Sequence, residues 1–155
     1  MNVFSKLQQQ VIGRLTATVT EVPSLVPANG AINWITEDIG DLASNIARLT
    51  KSVGIVGIVM TPGGGRMYDV GIVPISFLCP IEIQVQENVT VNRGDSGTKI
   101  AALDLVQFTM LRLHLWSPTG QRITKIQLDD TPFVMVSEYP ILTYNTLFNA
   151  KLTIA

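Results

Sequence analysis

From Ile81 to Val91 the chain alternates apolar and polar residues almost without a break. Ile81, Ile83, Val85, Val89 and Val91 stand against Glu82, Gln84, Gln86, Asn88 and Thr90. A period of two fits a strand with one face buried and the other wet, so a sheet must exist with a layer over its apolar side. Glu87 is the one break on the apolar side.

The rest of the pattern supplies that layer. Phe4, Leu7, Val11 and Leu15 share a helical stripe, which predicts a helix over 2–16. Residues 18–33 carry Pro23, Pro27 and Asn29-Gly30 and read as a loop or irregular arm, with or without a short strand. Ile35, Ile39, Leu42, Ala43, Ile46 and Leu49 predict a helix over 36–50, with Glu37 and Asp38 in the first turn, where the dipole favours them, and Gly54 as its stop. Residues 53–60 are apolar on both faces and read as a central strand covered on both sides. A wide apolar set from Ile100 to Leu113 predicts a helix over 98–115, closed by Ser117-Pro118-Thr119-Gly120. Strands are expected at 123–128, 133–136 and 142–154. The sum is one α+β domain over 1–155, a single mixed, mainly antiparallel β-sheet with the helices packed on one face.

Charge narrows the class of function. Only 15% of the residues are Asp, Glu, Lys or Arg, against roughly 25% in ordinary soluble domains. The mean hydropathy is +0.33. Such a surface is either rich in uncharged polar groups or partly covered by neighbouring subunits, since interface cores are depleted in charge. A net charge of −1, with the 11 basic residues scattered, offers no footprint for duplex DNA or anionic membranes. Cys79 is the one cysteine, in an apolar setting that suits an inert thiol, and a reducing compartment is expected. The apolar stretches 53–60 and 70–81 are too short for a membrane-spanning helix, and no signal-peptide pattern opens the chain.

Candidate chemistry is sparse. Thr61-Pro62-Gly63-Gly64-Gly65-Arg66 invites a phosphate-loop reading, but the Lys-Ser/Thr of such a loop is missing and a hairpin tip explains the glycines better. His114 has no metal-ligand partners nearby and no nucleophile motif to serve, so a structural place near a helix end is expected. Asp129-Asp130 before Thr131-Pro132 reads as turn chemistry. Asn88-Val89-Thr90 matches a glycosylation acceptor, but it falls within the expected strand of a chain without an export signal. Trp34 and Trp116 are either interface anchors or half-buried residues at helix ends. No catalytic residue, cofactor or metal is expected.

One stretch resembles a known family. Glu87-Asn88-Val89-Thr90-Val91-Asn92-Arg93-Gly94, then Gly97-Thr98-Lys99, then a helix through Ala101-Ala102 to Leu113-His114, is similar to the tail terminator proteins of long-tailed bacteriophages (tail completion, minor tail protein U-like). The closing segment Tyr139-Pro140-Ile141-Leu142-Thr143-Tyr144 resembles the family's C-terminal end. The likeness covers residues 81–155, while 18–50 fits the pattern less well. It implies a virion protein without enzymatic activity, assembled in the host cytoplasm. Copies would form a ring, usually a hexamer, at the head-proximal end of the tail, ending tube growth and joining the head. Its partners would be its own copies, the tail tube protein and the head-tail connector, with DNA only passing through the lumen. Arg66, Arg93 and Lys99, in or beside glycine-rich loops expected to be mobile in the free subunit, are the charges expected at subunit or partner contacts. Two other readings stand beside this one: another tail component, such as a tube or baseplate-hub subunit, and a small ligand-binding domain.

Overall fold

A computed structural model of the chain describes residues 3–37, 41–61, 66–67, 75–119 and 125–154. The elements run α1 (Val3–Glu21), a 3-10 turn (Pro23–Leu25), β1 (Asn33–Thr36), α2 (Leu42–Ser52), β2 (Ile55–Met60), β3 (Arg66–Met67) and β4 (Ile75–Asn88). A single helical turn, α3 (Val89–Asn92), leads to α4 (Ala102–Leu113), β5 (Gln127–Glu138) and β6 (Ile141–Ile154). The six strands form one mixed sheet in the order β1-β2-β4-β6-β5, with β3 also paired to β4. Among the described residues β1 and β2 pair in parallel and the remaining pairings are antiparallel. The α+β class and the mixed, mainly antiparallel sheet are as expected.

The helices divide between the two faces, which corrects the expectation of one shared face. On β2, Ile55 and Val59 pack toward α1 and α4, whereas Val56 and Ile58 pack against Leu49, Leu42 and Ile46 of α2. The reason lies in β2 itself. A strand apolar on both faces needs a cover on both, and the parallel step from β1 to β2 needs a crossover helix, which α2 provides. Residues 33–36 extend alongside β2 instead of opening the helix, and α2 starts at Leu42 because Asp41 caps it. Its carboxylate accepts from Ser44 N at 3.1 Å and from Ser44 Oγ at 2.7 Å. Those bonds hold the Asp41 carboxyl below its ordinary pKa. Ile39, expected on the apolar stripe, lies outside the described residues.

Two close approaches fix the geometry around β2. The Trp34 ring of β1 lies against Gly57, where an added Cβ would stand 2.2 Å from the ring. Gly54 has φ +89°, and a Cβ there would meet Asn92 N at 2.4 Å. Helix α1 runs five residues past the expected end, because Thr18 and Val19 are buried and Thr18 Oγ1 donates back to Arg14 O at 2.8 Å. Burial outweighs the modest helix propensity of its β-branched residues. The core under α1 contains Leu7, Val11, Leu15, Ile81, Ile83 and Phe148, and the core under α4 contains Leu105, Val106, Val85 and Tyr144.

Candidate functional site

Glu87, the break in the alternating strand, is fully buried and organises the segment that follows it. Its Oε1 accepts from Asn92 Nδ2 at 2.8 Å and Arg93 Nε at 3.1 Å, and its Oε2 accepts from Ala102 N at 3.1 Å. The last bond caps α4 from the sheet: Ala101, the N-cap residue, supplies no side-chain bond of its own, and a carboxylate suits a helix N-terminus. Asn92 is also fully buried, donates to Ile100 O at 2.7 Å and accepts from the Thr98 hydroxyl. The expected strand therefore stops at Asn88, whose side chain accepts from Val91 N at 3.3 Å and turns the chain into α3.

The same bonds delay α4, and further bonds tie the 92–98 loop to its neighbours in the fold. Lys99 N donates to Asn92 O at 2.9 Å, and Ala28 N donates to Thr98 O at 2.9 Å. Asn29 Nδ2 reaches both Asp95 O and Gly97 O at 2.9 Å. Thr98 through Ile100 are thus spent on the loop, and the helix begins only at Ala102. Residues 62–65 and 68–69 of the other loop lie outside the described residues.

The structure brings two of the three expected interface charges into one loop. Arg93 pairs with Glu87 yet leaves 56% of its side chain exposed. Lys99 is exposed at φ +61°. Arg66 is in a different element, β3, opposite Leu78 of β4.

A surface that the sequence reading missed lies on β5. Val134, Met135 and Val136 are each about half exposed, and Tyr139 at the hairpin end is 80% exposed. β5 closes one end of the sheet, with β6 as its partner among the described residues. The run Phe133-Val134-Met135-Val136 was a readable signal: continuous apolarity implies cover on both sides, which the described residues do not supply to β5. On α4, Leu103, Leu111 and the nearby Leu115 are also exposed.

No catalytic constellation is assembled among the described residues. His114 Nδ1 accepts from Leu128 N at 3.1 Å, tying the end of α4 to β5. Burial pushes the Cys79 thiol up to about 11. Asp129 Oδ1 accepts from Thr131 N at 3.1 Å, the turn bond expected of it, and Asp129 Oδ2 accepts from Asn149 Nδ2. Trp116 is half-buried with the Arg14 guanidinium 5.7 Å from its ring centre. Among the described residues no group of three His, Cys, Asp or Glu side chains could hold a metal, and no helix is long and apolar enough to cross a membrane.

Neither protein-family models nor curated proteins match the sequence. Among solved structures, a chain of the virion of a native gene transfer agent particle is similar, with a TM-score of 0.54 at 14% identity. The match covers 96% of this chain and 95% of that one, so the likeness extends through the N-terminal part as well as 81–155. At this identity it establishes a shared fold.

Proposed function

We propose that the chain is a non-enzymatic structural protein of a phage-like virion, one copy of a ring that ends the tail tube and joins tail to head. The observation that carries this reading is the fold held in common, nearly end to end, with a chain of a gene transfer agent virion. The resemblance of 81–155 to tail terminators narrows it to the ring. The surface agrees with it: few charges, and half-exposed apolar residues on an edge strand. DNA passing through such a ring must not be held by its phosphates, and a chain of net charge −1 avoids that. Arg93 and Lys99 on their pinned loop, with Arg66 of β3, are the charges assigned to contacts with neighbouring copies or with tube and connector proteins.

Deleting the coding sequence in a phage-like particle that carries it tests the proposal. The expected result is tails that grow past their normal length and fail to join heads. Particles with no tube at all would instead favour a tube subunit, and unchanged particles would refute a virion role.

A further inference from the structure

Resting on that ring reading, we propose that the free edge of β5, Phe133–Glu138, is the seam at which one copy receives the next. The contact is head-to-tail and is not a symmetric pairing of two β5 edges. The backbone argues for the edge first. With β6 its partner among the described residues, β5 presents a second row of N–H and C=O groups, and such an edge templates addition of another chain unless it is blunted. The first half of β5 is blunted by the register shift between Leu128 and Phe133, which contains Pro132 and both aspartates. The second half runs in regular register from Phe133↔Thr146 to Glu138↔Ile141 and contains no Pro, Gly or Lys. Val134 and Val136 lie on one face of the sheet and Met135 on the other, so the edge is apolar on both sides.

Charge selects the occupant. Residues 127–150 carry Asp129, Asp130 and Glu138 and no Lys or Arg, a net of −3, while the whole chain has −1. The remainder of the chain therefore carries +2. Two β5 edges paired with each other would bring two segments of net −3 side by side, and like charges across strands are destabilising. The rest of a second copy has the opposite sign. Arg48 and Lys51 are exposed in the second half of α2 and form no salt bridge among the described residues. The occupant is thus a second copy of this chain, meeting the acidic edge with a cation-bearing surface outside its own hairpin. Such a heterologous contact closes into a ring or runs on as a filament.

The test uses the full-length chain in a concentration series by sedimentation, with Val136→Lys and Val136→Cys beside it. The native chain should assemble beyond a dimer, and Val136→Lys should require about tenfold more protein for half-assembly, a loss of roughly 1.4 kcal/mol per contact. Should Val136→Lys lose its circular dichroism, Met135→Lys on the opposite face of the same edge makes the same comparison. Oxidised Val136→Cys should give no covalent dimer. A native chain that stays monomeric at every concentration, assembly unchanged by the edge substitutions, or a Val136→Cys disulfide dimer would each overturn the seam. The position of the chain in a particle is measured separately, so the seam and the virion role can fail independently.

Discussion

Replacing Glu87 by Ala should be among the most damaging single changes available to this fold. The carboxylate is fully buried and receives three donors. Ala102 N–H, at the buried start of α4, would lose its acceptor, a cost of about 1–3 kcal/mol. Asn92 Nδ2 keeps its bond to Ile100 O at 2.7 Å, so its share is about 1 kcal/mol or less. Arg93 is more than half exposed and turns to water at little cost. The change therefore costs about 3 kcal/mol in all, a large part of the roughly 5–15 kcal/mol that holds a domain together. For a chain of this size that lowers Tm by about 6–12 °C. Urea unfolding followed by the fluorescence of Trp34 and Trp116 gives the number, and hydrogen exchange of 93–102 shows whether the loop is released. Arg93→Ala is the control and should cost below about 1 kcal/mol, since the other two donors remain. A loss under about 0.5 kcal/mol for Glu87→Ala, within the range of ordinary surface substitutions, would refute the reasoning, as would equal losses for the two variants.

Gly57→Ala should destabilise by about 1–3 kcal/mol, because its Cβ would enter the Trp34 ring; in a Trp34→Ala background the same change should cost clearly less, and equal costs would remove the contact from the account. Cys79 should resist thiol reagents at pH 8 in the folded chain and react once urea unfolds it. Because burial raises its folded pKa to about 11 from 9.0, the unfolded thiol ionises first, so stability should fall as pH climbs between those values; a Cys79→Ser variant with the same fall would assign the effect to another group. His114→Ala should cost about 1 kcal/mol through the lost bond to Leu128 N, and an enzymatic turnover abolished by this change in a folded protein would overturn the structural role given to it.

The sequence made the layers readable and left their placement open. Period-two alternation located β4, and helical stripes located α1, α2 and α4, because burial of one face imposes its own spacing on the residues. The both-faced apolarity of β2 already demanded cover on two sides, and following it through would have sent α2 across the sheet. What pattern reading could not supply was β1: Asn33–Thr36 is a short strand whose existence depends on pairing with β2 and on the absence of a side chain at Gly57. The loop from Arg93 to Ala101 was similarly hidden. Its order comes from Glu87 and Asn92, polar residues that alternation registers only as a break and an end. At the candidate site, Arg93 and Lys99 were found by residue type and loop position. The β5 edge escaped because Phe133-Val134-Met135-Val136 reads as a buried strand until its place at the end of the sheet is known.

The central claim is a place in a particle, and electron microscopy of intact tails bearing this chain tests it most directly. Labelled copies, or density fitted with this fold, should form a single ring between the head and the last turn of the tail tube. Copies stacked along the whole tube would contradict the claim and make the chain a tube protein, and tails with no such density anywhere would remove it from the virion.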